Sequence, residues 1–140
     1  MLAASRQPLV ILLAGDELTR SITTSCLEMS GYDVIGARTA GEVESLLLAQ
    51  PGARRVDVLV TDADVRDTVD GLSLATVARC LDAEVGVVYT ARSPRLLDPE
   101  ALVPGALCLR TPYHGHQIVA LVGTLLAPSA PRSDLDRAAA

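Results

Sequence analysis

The sequence predicts an α/β fold, in which a doubly wound parallel sheet of five strands is covered by helices on both faces. Five short apolar runs alternate with helix-like stretches, and Gly, Pro or polar turns mark each boundary. Hydrophobic residues make up 49% of the 140, yet Phe and Trp are absent. The core must therefore be aliphatic, which suits parallel strands buried on both sides. This length fits one domain.

The apolar runs predict strands near residues 8–14, 33–37, 56–61, 85–89 and 106–110. Four stretches between or after them show helical spacing. The first, about residues 17–30, stops before Gly31 and is predicted to be amphipathic from the spacing of Leu18, Ile22, Cys26 and Met29. The apolar face of the second contains Val43, Leu46 and Leu47. The third begins at Gly71, and the last spans about residues 113–126.

The stretch between the last two strands is expected to be irregular. Ser93 and Pro94 form a suitable helix start, but Pro99 and Pro104 keep any fourth helix short, because proline is poorly tolerated inside a helix. Residues 128–140 are rich in Ala, Pro, Ser and charge, which predicts a flexible tail. The folded domain is therefore predicted to span residues 1–127.

Charge and composition exclude several classes of function. All 12 basic residues are Arg, the net charge is −5, and Arg54-Arg55 is the largest basic cluster, so nucleic acid is not an expected partner. No apolar run is long enough to cross a membrane. The three Cys are odd in number, lie in apolar segments and lack metal-binding spacing, which predicts reduced core thiols in a cytoplasmic protein.

Polar side chains with a shared chemistry follow the predicted strands. Asp16 follows the first strand, Asp62 closes the third, and Thr90 closes the fourth. Carboxyl ends of parallel strands line a common crevice, so these residues are expected to meet there. Carboxylate oxygens suit Mg²⁺, and a carboxylate can attack a phosphoryl donor. The alternative is that each acid is a solvated turn residue that caps the next helix.

Four segments in this order resemble the receiver domain of bacterial response regulators: residues 11–17, 58–62, 70–72 and 88–91. The resemblance covers about residues 8–127 and implies a flavodoxin-like three-layer sandwich. It also implies that Asp62 is the phosphoacceptor, that Thr90 is the switch hydroxyl, and that Asp16 is the second acid of a metal-binding pair. The backbone carbonyl of Asp64 would be the third protein ligand of Mg²⁺.

Three positions depart from the family pattern. Gly15 replaces the first acid of the metal-binding pair, which predicts a weakened Mg²⁺ site. Thr111 stands at the position of the family lysine, and a chain without Lys has no other ammonium side chain to offer. Cys108 stands at the position of the aromatic switch residue. Arg92 is the candidate substitute cation; it either contacts a phosphoryl oxygen or forms a surface ion pair with Asp64.

The resemblance implies a stand-alone signalling module rather than a turnover enzyme. It would accept phosphate on Asp62 from a histidine kinase or phosphotransfer protein. Output would occur by contact with a partner protein or a second copy of the chain. The contact surface would consist of the short fourth helix expected after Ser93, the fifth strand and the last helix. A phosphorylation-independent pseudo-receiver that serves as a binding or dimerisation scaffold is the competing hypothesis. An enzyme alternative is that Asp62-Ala63-Asp64 resembles the Asp-x-Asp motif of haloacid-dehalogenase-type phosphatases.

Overall fold

Within residues 7–49, 54–66 and 69–127, which the computed structural model describes, five parallel strands form one sheet. Their spatial order is β2-β1-β3-β4-β5. The strands are β1 Leu9–Leu13, β2 Asp33–Ala37, β3 Val58–Asp62, β4 Gly86–Ala91 and β5 Leu107–Arg110. All four neighbouring pairs are parallel. The predicted α/β class and doubly wound sheet are therefore confirmed.

Four α-helices are found in the same part of the chain, and they cover the sheet on both faces. They are α1 Glu17–Met29, α2 Ala40–Leu48, α3 Gly71–Leu81 and α4 Gly115–Leu126. Leu27 of α1 and Ile118 of α4 belong to one core, whereas Val43 of α2 and Leu74 of α3 belong to the other. The three layers correspond to the predicted sandwich.

Strand β1 shows why the sequence has to form this arrangement. All five of its residues are buried, because it lies inside the sheet and has helices on both faces. Val10 and Leu12 point into the core with α1 and α4, and Ile11 and Leu13 point into the core with α2 and α3. A continuous apolar run is therefore required at this position, rather than an alternating one.

The predicted apolar spacing of α1 does not identify its buried face. The buried residues of α1 are Thr23 and Leu27, whereas Leu18 is 67% exposed and Met29 is 87% exposed. Leu27 packs in the core beside α4, and the Thr23 hydroxyl lies 2.9 Å from the hydroxyl of Tyr113. Of the predicted stripe, only Cys26 packs closely against another helix, at Gly115 of α4.

The segment between β4 and β5 forms two short 3-10 helices, Pro94–Leu96 and Pro99–Ala101, in place of a fourth α-helix. The irregular structure expected from the prolines is therefore present. Two contacts hold the segment to the body of the domain. The Tyr89 hydroxyl accepts the Val103 N–H at 2.9 Å, and Arg79 donates to the Pro104 carbonyl at 2.7 Å.

Two sequence predictions concern the limits of the domain. The flexible tail, residues 128–140, lies outside the described residues, so the boundary at residue 127 stays a prediction.

Of the helices that the structure describes, none has the length and apolar character needed to span a membrane.

Candidate functional site

The predicted site residues gather at one edge of the sheet. Asp62 is the last residue of β3 and is paired in register with Thr90 of β4. Strand β1 runs parallel to β3 beside it, so Asp16, three residues after β1 ends, follows at the same edge. The parallel topology therefore places all three residues at the carboxyl ends of neighbouring strands, as predicted.

Asp62 is half-buried and lies among backbone N–H groups. Its Oδ1 accepts the N–H of Asp64 at 2.9 Å, and the N–H of Gly15 also interacts with the carboxylate. Burial raises the pKa of Asp62 above its usual value, and the charge of Asp64 raises it further. The two N–H groups and the Arg92 cation act in the opposite direction. Asp62 is thus an acid whose charge is partly desolvated.

The start of α3 fixes the backbone of Asp62 in place. A Cβ atom at Gly71 would overlap the carbonyl oxygen of Asp62, so only glycine permits this approach. The buried Thr61 hydroxyl also donates to the Gly71 carbonyl at 2.8 Å. The sequence identified Gly71 as a helix start, but its second role, as the residue that lets α3 reach β3, requires the three-dimensional structure.

Asp16 acts as the N-cap of α1. Its Oδ2 accepts the N–H of Thr19 at 2.8 Å, and hydrogen bonding with the side chain of Thr19, followed by this backbone bond, lowers the pKa of Asp16. Arg20, four residues on, donates to the Ala14 carbonyl at 2.8 Å and also lowers that pKa through its charge. The helix-capping alternative raised from the sequence is therefore present. Arg20 lies one helical turn after Asp16, and this spacing could have indicated from the sequence that the two residues are neighbours.

Thr90 and Thr111 lie on the β4 and β5 side of the site. Thr90 is only 3% exposed, and its carbonyl accepts the N–H of Ala63 at 2.8 Å, which fixes the chain just after Asp62. Thr111 comes directly after β5 and donates its N–H to the Ala91 carbonyl at 2.9 Å. Both side chains are neutral, so neither supplies a cation to this edge.

Arg92 reaches the site through Asp64. Its backbone N–H donates to Asp64 Oδ2 at 2.9 Å, and its Nε lies 3.6 Å from the same oxygen. The Arg92 side chain is 83% exposed. The pair is therefore a solvent-screened contact that contributes little stability. The contact nevertheless holds a guanidinium beside the loop that follows Asp62.

Comparison with solved structures gave many matches. A response regulator receiver protein from Sinorhizobium medicae WSM419 is 24% identical, with a TM-score of 0.77 over 86% of this chain and 95% of that one. A CheY-like receiver domain from Methylobacillus flagellatus is 15% identical, with a TM-score of 0.70 over 86% and 99%. The receiver domain of the hybrid histidine kinase CckA is 23% identical, with a TM-score of 0.67 over 85% and 99%.

The chain has the receiver-domain fold. The architecture that the motif resemblance implied is therefore confirmed. Neither models of protein families nor curated proteins gave a match by sequence. The fold is thus shown by structure, while the roles of individual residues rest on the geometry of this site.

Tyr113 is a site residue that the sequence did not single out for a role in this receiver fold. Burial raises the pKa of its phenol, and the charge of Asp62 raises it further, which shows that the two side chains are neighbours. Its hydroxyl lies 2.9 Å from the Thr23 hydroxyl of α1. Tyr113 therefore connects the start of α4 with α1 beside the Asp62 edge. Its position two residues after Thr111, a predicted site residue, could have indicated that Tyr113 lies near the site.

The oxygen atoms of this edge have the chemistry that Mg²⁺ prefers, but the side-chain set is small. No group of three or more His, Cys, Asp or Glu side chains within the described ranges is arranged to hold a metal. The available donors are the carboxylates of Asp16 and Asp62 and the carbonyl of Asp64. They fit an open site completed by water, which Mg²⁺ commonly accepts. At Gly15, a Cβ would meet only Val65, at 3.6 Å, so a side chain has room there.

Proposed function

We propose that this chain is a receiver module of two-component signal transduction that accepts a phosphoryl group on Asp62. The observation that carries the proposal is the pairing of Asp62 with Thr90 at the ends of adjacent parallel strands in a receiver fold. A residue with a carboxylate and a residue with a hydroxyl are thereby register partners on adjacent strands. The carboxylate is the nucleophile, and the hydroxyl is available to the transferred group.

The proposed reaction is a single transfer. One oxygen of the Asp62 carboxylate attacks the phosphorus of a partner's phosphohistidine, the P–O bond forms, and the P–N bond breaks. The histidine leaves with the electron pair and takes a proton from water. The Thr90 hydroxyl then donates a hydrogen bond to a phosphoryl oxygen. The chain ends as an acyl phosphate, which in this proposal is the signalling state and not an intermediate of turnover.

Charge balance favours a bound cation in this reaction. Mg²⁺ would be held by the carboxylates of Asp16 and Asp62 and by the carbonyl of Asp64. Its positive charge would offset the negative charge of the incoming phosphoryl oxygens. Arg92 adds a guanidinium at the rim, next to Asp64. We propose that Arg92 partly replaces the lysine that Thr111 does not provide. The affinity for Mg²⁺ should be low, because Gly15 contributes no carboxylate.

The proposed partners are proteins. A histidine kinase or phosphotransfer protein would supply the phosphoryl group, and one structural neighbour is the receiver domain of a hybrid histidine kinase. Output would be contact with a partner protein or a second copy of the chain. The segment after Thr90 is the natural place for that contact, because it follows β4 directly and is held at Tyr89 and Val103.

A scaffold that does not depend on phosphorylation is the second candidate. It is favoured by the engagement of Asp16 as a helix cap and by the neutral side chains at residues 15 and 111. In that case the strand-end residues would stabilise the fold, and the surface alone would act. The two candidates differ in whether Asp62 reacts.

Intact mass measurement after incubation with acetyl phosphate and Mg²⁺ tests this difference. The wild type should gain one phosphoryl group, and Asp62→Asn should gain none. Asp98→Ala removes an exposed acid outside the site and should behave as the wild type. An unchanged mass in all three proteins would instead support the scaffold. An adduct that persists in Asp62→Asn would contradict the assignment of Asp62, and turnover of a phosphate monoester would support the phosphatase alternative.

A further inference from the structure

An open cavity of about 230 Å³ lies between the turn after β4 and the end of β5. It is lined, in the described part of the chain, by Arg92, Ser93, Pro94, Arg95 and Arg110. Three arginines thus line one cavity in a chain whose net charge is −5. The lining contains no carboxylate, and it includes neither Asp62 nor Thr90.

The cavity exists because no α-helix covers this part of β5. Leu107 and Leu109 pack against the core shared with α1 and α4, so the alternating residues Cys108 and Arg110 lie on the opposite face. Both are exposed, since the segment from β4 to β5 forms only short 3-10 helices. Arg110 is paired in register with Ala91, which brings it beside Arg92.

Within the described residues, the positive charge of this cavity is only partly neutralised. Other arginines are engaged, as in the pairs of Arg54 with Asp33 and of Arg55 with Asp82. The charge of Arg92 is partly neutralised by Asp64. The guanidinium groups of Arg95 and Arg110, by contrast, form no ion pair or hydrogen bond with any residue that the structure describes. Two unpaired guanidinium groups on one cavity, beside a third, leave a local excess of positive charge.

We propose that this cavity binds the phosphate end of a small phosphorylated molecule. A guanidinium presents a planar fork of donors that matches phosphate oxygens in a bidentate manner. The volume suits one or two phosphate groups more than a whole cofactor, because pockets that enclose larger ligands span about 300–1,000 Å³. The ligand class is therefore a phosphate monoester or diphosphate whose remaining part extends into solvent. Arg92 is the one lining residue that is also proposed to assist phosphoryl transfer at Asp62, so the two sites meet at that side chain.

Titration with inorganic pyrophosphate at constant ionic strength, followed by amide NMR shifts, tests the proposal. Saturable shifts should appear at residues 92–95 and 110. The double variant Arg95→Gln/Arg110→Gln should weaken binding at least about tenfold, since it removes two charge-assisted contacts. Arg110→Lys, which keeps the charge but loses the fork, should give an intermediate loss. Asp62→Asn should bind as the wild type does, which separates this site from the phosphoacceptor.

Arg38→Gln is the matched control. It removes the same charge from an exposed arginine that follows β2, at the opposite end of the strand order. Its affinity for pyrophosphate should match the wild type. The proposal is overturned if the wild type shows no saturable binding, or if Arg38→Gln weakens it as much as the double variant. Equal binding of citrate would also overturn it, because that result would indicate attraction to any polyanion.

Discussion

At the residue scale, Asp62 is subject to opposing influences. Burial and the neighbouring charge of Asp64 disfavour its ionised form, while the N–H groups of Asp64 and Gly15 favour it. The first pair of influences dominates, so the pKa is raised. Because the ionised carboxylate is held in this partly desolvated place, it has fewer water molecules to lose when a phosphoryl donor arrives. Holding the ionised carboxylate in this place costs free energy and therefore destabilises the folded state.

This cost predicts a pH-dependent effect of Asp62→Asn. The pKa of Asp62 in the folded protein lies above its ordinary value of 3.8, so wild-type stability decreases as pH rises through the folded pKa. Asparagine carries no charge at any pH and avoids that loss. Thermal unfolding followed by circular dichroism should show a higher Tm for Asp62→Asn at about pH 7. The gain should disappear as the pH falls to about 3 to 4, where Asp62 becomes protonated in both states.

Asp70→Asn provides a control of opposite sign. Asp70 caps α3, and its hydrogen bonds with Ser73 lower its pKa, so its ionised form stabilises the fold at neutral pH. The substitution should lower the Tm near pH 7, and the difference should diminish as acid protonates Asp70. A lower Tm for Asp62→Asn at neutral pH would show that the fold stabilises ionised Asp62, which contradicts a raised pKa for this carboxyl group.

At the scale of elements, the junction between β3 and α3 determines where Asp62 lies. Gly71 lets the helix start against the Asp62 carbonyl, and the Thr61 hydroxyl bonds to the Gly71 carbonyl. Asp70 caps the same helix through the N–H of Ser73 at 2.8 Å. Three features of the sequence, a buried threonine, a capping acid and a glycine, therefore position Asp62. None of them needs to contact the phosphoryl group.

Gly71→Ala should therefore damage both stability and phosphorylation. The added methyl overlaps backbone atoms of Asp62, which cannot turn aside as a flexible side chain would. Overpacking of this kind typically costs about 1–3 kcal/mol, and urea unfolding should show a loss in the upper part of that range. Acetyl phosphate should also label the folded variant more slowly, because Asp62 is displaced.

The control is Gly41→Ala in α2, where the new methyl would meet nothing within 4 Å. This variant should gain at most about 0.5 kcal/mol from better helix propensity, because Gly41 lies in the first turn of the helix and not in its interior. If Gly71→Ala proved as stable as Gly41→Ala, the close approach of α3 to Asp62 would not matter for the fold.

Which parts of the molecule could be predicted from sequence also depends on scale. The strands were predictable because buried parallel strands require continuous apolar runs, as in β1. The buried face of α1 was not, because spacing reveals a stripe but not whether the stripe faces the sheet. Leu18 and Met29 lie on its exposed side. In the same way, Asp16 could be located at the strand ends, but its bond to Thr19 depends on the local path of the chain.

At the scale of the whole molecule, parallel strands bring distant parts of the sequence to one edge. Residues 15, 62, 90 and 111 each follow or close a different strand, so the site can be altered one position at a time. The fold is retained although residues 15 and 111 lack the charges expected of the family. Charges at those two positions are therefore not needed to hold the sheet together.

Restoring both charges should accordingly increase reactivity without changing the fold. In Gly15→Asp/Thr111→Lys, the new carboxylate enters space in which a Cβ meets only Val65 at 3.6 Å. A further negative charge about 4 Å from the ion contributes more than about 1.4 kcal/mol at an effective dielectric constant of about 20, so the single variant Gly15→Asp should bind Mg²⁺ at least about tenfold more tightly. The ammonium added by Thr111→Lys repels the ion, so the double variant should show a smaller gain in affinity. Calorimetric titration measures the affinity, and the initial rate of labelling by acetyl phosphate should rise with it. Gly41→Asp adds the same negative charge on α2 and should change neither quantity. If the double variant folds but binds and reacts as the wild type does, the edge of the sheet is not a phosphoryl-transfer site, and the scaffold hypothesis explains the chain better.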